Sequence, residues 1–129
     1  MIKTRRFNDP AEPDDGFRLL VCRFRPRGVR KQDETWDAWD PELGPSKKLH
    51  AAVYGKSGAP ISWDEYRSRY LDEMREQDFR LRALVNRVAA GETITLLCSS
   101  ACTDENRCHR SLLARLIAER AGASRPAAP

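Results

Sequence analysis

Two stretches of this chain are apolar almost without interruption, and both read as strands buried on each face. Phe17-Arg-Leu-Leu-Val-Cys-Arg23 is edged by Gly16 and Pro26, and Thr93-Ile-Thr-Leu-Leu-Cys98 follows much later. Lys3 to Phe7 predicts a short first strand, and Asn8 to Gly16 a connection rich in turn residues. Ser62-Trp-Asp-Glu65 is a capping box, in which hydroxyl and carboxylate reciprocally satisfy orphan amides. The helix it opens should turn Trp63, Tyr66, Tyr70, Leu71 and Met74 inward. That helix is expected to bend or restart around Glu76 to Asp78, continue through Leu81, Leu84, Val85 and Val88, and end in a left-handed cap at Gly91. A last helix is expected from about Cys108 to Ala121, with Leu112, Leu113, Leu116 and Ile117 inward and Gly122 at its end. Between Val29 and Gly58 the pattern is weaker. Trp36, Trp39 and Leu43 are spaced for one face of a short helix, and Pro45-Ser46 can open another through Leu49, Val53 and Tyr54; a loop with aromatic anchors is the alternative.

This order of elements predicts a single α/β domain over residues 1–122, with a small, mostly parallel sheet flanked by helices. The low-complexity tail, 123–129, is expected to be disordered. Right-handed crossovers bring the carboxyl ends of both apolar strands to one edge, where open α/β proteins usually hold ligands. Arg23, Arg25 and Arg27 are therefore expected beside the loop from Cys98 to Arg110.

Composition narrows the class. Hydrophobic residues make up 40% and charged residues 33% of the 129, a globular balance rather than a disordered one. No apolar run approaches the roughly 20 residues that span a bilayer, and no apolar signal core follows the basic amino terminus. A cytoplasmic protein with no membrane partner is the expectation. In a reducing compartment, four cysteines point to free thiols, metal ligands or redox groups before a disulfide framework. The net charge of +4 is mild. Its arginines suit planar anions, so a small anionic ligand or nucleic acid is permitted and neither is demanded. Nothing in the pattern names a cofactor or an oligomeric state.

The chemistry concentrates in Cys98-Ser-Ser-Ala-Cys102-Thr-Asp-Glu-Asn-Arg-Cys108-His109-Arg110. A helix opening at Cys108 would offer free amides and a positive dipole end to an anion, with Arg110 adding a fork of donors. A thiol there should ionise early, so Cys108 is expected to be a thiolate; the plainer reading is a small buried residue in a capping loop. Cys98 and Cys108 are both candidate nucleophiles, with His109 as base or ion-pair partner. Tyrosine phosphatases and rhodaneses also set a cysteine between strand and helix, but eleven residues between Cys98 and Arg110 are too many for their cradle. A thiol pair passing through a disulfide or persulfide is a further reading. Cys98, Cys102, Cys108 and His109 number enough for tetrahedral zinc. However, there is no Cys-x-x-Cys, and adjacent Cys108 and His109 would have to share the ion, so no metal is assigned. Arg23-Phe-Arg-Pro-Arg-Gly28 is either a solvated basic turn or an anion clamp on a stiffened backbone. His50 is expected to pack, and Trp36, Trp39 and Trp63 to serve as core or lid.

Asp14-Asp15-Gly16-Phe-Arg-Leu-Leu-Val, Arg23-Phe-Arg-Pro-Arg-Gly28, Leu43-Gly-Pro-Ser46, Trp63-x-x-Tyr66-x-x-Arg69-Tyr70-x-x-Glu73 and Leu96-Leu-Cys98 … Cys108-His109-Arg110 together resemble a family. It is the YeaO-like family of bacterial domains of unknown function, and the resemblance covers about residues 2–121. It implies a compact α/β fold. Carried over by position, it points to Arg23, Pro26, Arg27 and Gly28, to Pro45 and Ser46, and to Cys98, Cys108, His109 and Arg110. Cys22 stands where such proteins often carry an acidic residue, and the loop holding Cys102 is longer than their usual turn, so Cys102 is expected to be peculiar to this chain. The reading is a pocket for a small anionic or nucleotide-like ligand. Arg23, Arg27, Gly28, Ser46 and Arg110 would hold the ligand, and Cys98, Cys108 and His109 would carry any catalysis. The competing reading is a non-catalytic binding module for nucleic acid or an anionic ligand, with structural cysteines.

Overall fold

The two apolar runs lie side by side in the middle of a sheet. In a computed structural model that describes residues 1–124, the strands are β1 (Ile2–Arg6), β2 (Phe17–Leu20), β3 (Ala38–Trp39) and β4 (Ile94–Cys98). They form one sheet in the order β1-β4-β2-β3, and every pairing is parallel. β4 is flanked by β1 and β2 and buried at every position, which is why its sequence is apolar without alternation. Parallel pairing places Leu20 beside Leu97 and Arg6 beside Cys98, so the carboxyl ends of three strands share one edge.

Four α-helices follow among the described residues: α1 (Lys47–Val53), α2 (Trp63–Arg75), α3 (Asp78–Ala89) and α4 (His109–Ser124). Leu19, Val21, Ile94 and Leu96 pack in one cluster with Leu49, Tyr70, Val85 and Ile117, so this face of the sheet meets the helices. Leu20 and Leu97 pack instead with Phe7, Val29 and Trp36, side chains of the connecting segments. Successive residues of β2 thus serve opposite faces, as the pleat requires. Beneath the second face, Asp15 accepts from Lys3 Nζ at 2.7 Å and the Glu12 amide at 3.0 Å, and pairs with Arg18 Nη1. Gly16 turns into β2 at φ +63°; a Cβ there would stand 2.2 Å from the Thr93 carbonyl oxygen.

The helical spacing of Trp36, Trp39 and Leu43 does not produce a helix. Asp37 and Asp40 donate their amides to the carbonyls of Arg18 and Leu20, so this segment becomes the edge strand β3, followed by a 3-10 turn at Pro41–Leu43. Hydrogen bonding to an open sheet edge outweighs periodicity in so short a stretch. The second expected helix does form, as α1, capped by Ser46 Oγ accepting from the Leu49 amide at 3.1 Å. Ser62 caps α2 in the same way through the Glu65 amide, while the Glu65 carboxylate reaches Arg69 at 3.8 Å. The chain restarts at Gln77, and Gly91 ends the region beyond α3 at φ +99°. α4 continues through Ser124, two residues past its expected end at Gly122; the rest of the expected tail, 125–129, lies outside the described residues. Among the described residues no helix is long and apolar enough to cross a membrane.

Candidate functional site

At the carboxyl edge of the sheet, β4 ends on Cys98, β2 runs on into Val21, Cys22 and Arg23, and α4 starts at His109. The loop between β4 and α4 folds back on itself. The Cys102 amide donates to the Ser99 carbonyl at 3.1 Å, and Asp104 caps a 3-10 turn over Glu105–Arg107 by accepting from the Asn106 amide at 3.0 Å. The fold-back sets Cys102 Sγ 3.0 Å from Cys98 Sγ, and the sulfurs of Cys98, Cys102 and Cys108 all lie within 4.8 Å of one another. No disulfide joins them. Cys98 and Cys108 are buried, and Cys102 is partly exposed.

So close a group of thiols holds one negative charge more easily than two or three. Hydrogen bonds from Cys108 and then Cys98 push the Cys102 thiol well below its ordinary pKa, against burial, with Ser99 Oγ adding a contact at 3.6 Å. The same hydrogen bonding with Cys102 raises Cys98 and Cys108, because each keeps the proton it lends. This reverses the expectation for Cys108. That residue sits at the cap of α4 but is only 3% exposed, and hydrogen bonding with Cys102 and Cys98 together with burial raises its thiol despite the helix end. The downward shift falls on Cys102, the least buried of the three sulfurs.

His109 Nε2 lies 2.8 Å from the Val21 carbonyl oxygen. A carbonyl can only accept, so Nε2 carries the hydrogen and Nδ1 presents its lone pair. Burial lowers the pKa of the ring and keeps it neutral. Nδ1 stands 4.0 Å from Cys98 Sγ, which makes His109 a proton acceptor for that thiol rather than a cationic partner.

The arginine segment faces this cluster across a cavity of about 510 Å³, within the usual range for small-molecule sites. Arg23, Arg25 and Arg27 line it together with Cys22, Cys98, Cys102, Cys108 and His109. Two of those arginines are committed elsewhere. Arg23 donates to the Pro45 carbonyl at 2.8 Å and to Glu42 at 3.1 Å; Arg25 donates to the Val29 carbonyl at 2.8 Å and lies over the Trp36 ring. Arg27, Arg107 and Lys56 also line the cavity, are exposed, and have no ion-pair partner among the described residues. Phe24, His50 and Tyr54 form a run of ring contacts along one wall, at 5.0 and 4.6 Å between centroids. Trp63 stacks on Tyr66 at 5.4 Å; both belong to the core as the spacing predicted, and both also reach the cavity lining.

Three expected ligand-holding residues stand outside the wall. Gly28 is exposed with open space around it. Ser46 caps α1 and donates its hydroxyl to Glu73. Arg110 is 5% exposed, with Nε and Nη1 lacking hydrogen-bond partners among the described residues. It acts on Asp9, whose carboxyl is lowered chiefly by the Arg6 amide and only weakly by Arg110. Arg110 lies about 100° around the helix from His109 and does not reach the cavity lining. Cys102, Arg107 and Lys56 carried no assigned role in the sequence reading; the crowding of Cys102 with two other cysteines was the available signal.

Comparison with known proteins places the chain among relatives along nearly its full length. A family model described as "Active DUF488-N3 subclade" matches residues 2–121. The "Uncharacterized protein YeaO" of Escherichia coli is 36% identical over 105 residues, covering 81% of this chain and 88% of that protein. The "Uncharacterized protein Mb3100c" of Mycobacterium bovis and the "Uncharacterized protein Rv3073c" of Mycobacterium tuberculosis are each 30% identical over 116 residues, covering 90% of this chain and 92% of theirs. No solved structure matches.

Proposed function

This chain belongs to the active DUF488-N3 subclade, a YeaO-like family, and from that premise we propose that its cavity binds a small anionic, nucleotide-like ligand on which the Cys102 thiolate acts. One observation carries the reading: the cationic groups of Arg27, Arg107 and Lys56, which have no ion-pair partner among the described residues, line the same cavity as the thiol cluster. A planar anion such as a phosphate or carboxylate suits the guanidinium forks. The flat part of the ligand would lie along Phe24, His50 and Tyr54, where rings are already exposed to the cavity. Cys102 is the nucleophile in this reading, Cys98 and Cys108 are the thiols that keep it ionised, and His109 holds Cys98. Arg23 and Arg25 fix the loop that carries Arg27.

The test is calorimetric titration of the metal-free protein with inorganic phosphate and with a nucleoside monophosphate, repeated in the Arg27→Ala/Arg107→Ala double variant. The monophosphate should bind more tightly than phosphate alone. Each charge-assisted hydrogen bond is worth about 1.5–3 kcal/mol, so the double variant should lose at least about tenfold in affinity. Equal binding by both proteins, or no binding of either probe, would refute the reading.

A further inference from the structure

We infer that Cys98, Cys102 and Cys108 form a binding site for one zinc ion, held by three sulfurs with its fourth position open to the cavity. The inference goes beyond the anion pocket and does not depend on it. Zinc binds thiolate at about 2.3 Å in tetrahedral geometry, which places ligand sulfurs roughly 3.8 Å apart. The three sulfurs here already lie within 4.8 Å of one another, the nearest pair at 3.0 Å, so shifts of less than about an ångström bring them to a common centre. They come from three different places: the end of β4, the fold-back loop and the start of α4. A zinc knuckle assembles its ligands by short sequence spacing; here the tertiary fold does the same work.

Three further observations support an ion at this point. All three cysteines line the cavity, which gives an ion a path of access and leaves one side of it unscreened by protein. Three protein ligands and one open position is the pattern of zinc sites that bind a further molecule rather than merely cross-link a chain. His109 stands beside the triad with Nε2–H tied to the Val21 carbonyl, so its Nδ1 lone pair, 4.0 Å from Cys98 Sγ, is placed to take the proton that this thiol gives up to an ion. Three thiolates and a divalent cation leave a net charge of −1, which Arg27, Arg107 and Lys56 on the same cavity wall offset. An ion on the triad occupies the Cys102 sulfur, so zinc-loaded and thiolate-reactive protein are mutually exclusive states.

The test uses the full chain, reduced and stripped of metal, titrated with cadmium as a spectroscopic stand-in for zinc. Thiolate-to-cadmium absorption should saturate at one ion per chain, and added zinc should displace it. Cys102→Ser changes a partly exposed loop residue, so the variant should stay folded by circular dichroism and lose at least about tenfold in cadmium affinity. Cys108→Ser should weaken binding similarly. Zinc should also protect Cys102 from alkylation. The inference is overturned by no ion bound at stoichiometric concentrations, or by cadmium affinity unchanged in folded Cys102→Ser protein. The Arg27→Ala/Arg107→Ala variant separates the two proposals, because it should lose the anion and still take up one cadmium ion per chain.

Discussion

Alkylation of the reduced, metal-free protein with iodoacetamide should modify Cys102 first, at a rate nearly independent of pH between about 6 and 8. The thiolate is the reacting species, so the rate follows the ionised fraction. A thiol of ordinary pKa, about 8.5, is roughly 0.3% ionised at pH 6 and about 24% at pH 8, and its rate therefore rises about 75-fold. Cys102, held low by the thiols of Cys108 and Cys98, is already ionised across that range. Its rate should change by less than about twofold over the same interval. Absolute rate is a poorer readout, because lowering a thiol by two pKa units reduces its intrinsic nucleophilicity about tenfold. The slope against pH is the discriminating quantity. The assay is peptide mapping by mass spectrometry after timed quenching at several pH values. Cys108→Ala removes the leading hydrogen-bond donor, and a steep pH dependence should return. A rate at Cys102 that climbs by tens of fold in the unaltered protein, or labelling that reaches Cys108 first, would refute the assignment of the charge to Cys102.

Two predictions concern the scaffold beneath the site. Burial alone would raise the Asp15 carboxyl, but the Glu12 amide, Lys3 and Arg18 more than reverse this and hold it at about 2 instead of 3.8. A depressed carboxyl stabilises the fold above its unfolded pKa, so about 2 kcal/mol should be present above pH 4 and be lost as the pH falls toward 2. Urea unfolding at pH 5 and pH 2 should show a loss about 2 kcal/mol larger in the unaltered protein than in Asp15→Asn, where other lowered carboxyls such as Asp9 still titrate. Gly16→Ala would force a Cβ to 2.2 Å from the Thr93 carbonyl oxygen in a left-handed residue, and should cost at least about 2 kcal/mol in the same assay.

Most of the scaffold was legible because each element carried its own local cause. β4 is apolar because it is central, α2 starts where Ser62 can cap it, and Gly91 takes the left-handed turn past α3. β3 was not legible. Its two residues are a strand only because β2 offers free edge carbonyls to Asp37 and Asp40, and nothing local announces that partner. The site divided along the same line. That Cys98, Cys108 and Arg27 meet at one edge follows from parallel strands and could be reasoned from the order of elements. Which sulfur holds the charge depends on how the loop folds back at Ser99–Cys102 and on which thiol remains partly exposed, both of them tertiary facts. Arg110 misled for a simple reason: adjacency in a helical sequence is not adjacency on a helix face.

The arginines of one short segment divide their labour by what the backbone lets them reach. Arg23 turns back to the Pro45 carbonyl and Arg25 to the Val29 carbonyl, and each of these bonds ties down the loop between β2 and β3. Pro26 then fixes the backbone between Arg25 and Arg27. Arg27, next in the chain, has no acceptor among the described residues and stays exposed at the cavity. Ordering a loop on binding costs free energy that a ligand contact must first repay, and a loop already held by two carbonyl bonds avoids most of that cost. Arg23 and Arg25 therefore belong to the site through rigidity rather than contact. Replacing Arg23 should weaken ligand binding by loosening Arg27, and a lysine there should restore little, because one ammonium cannot reproduce the branched contacts to Pro45 and Glu42.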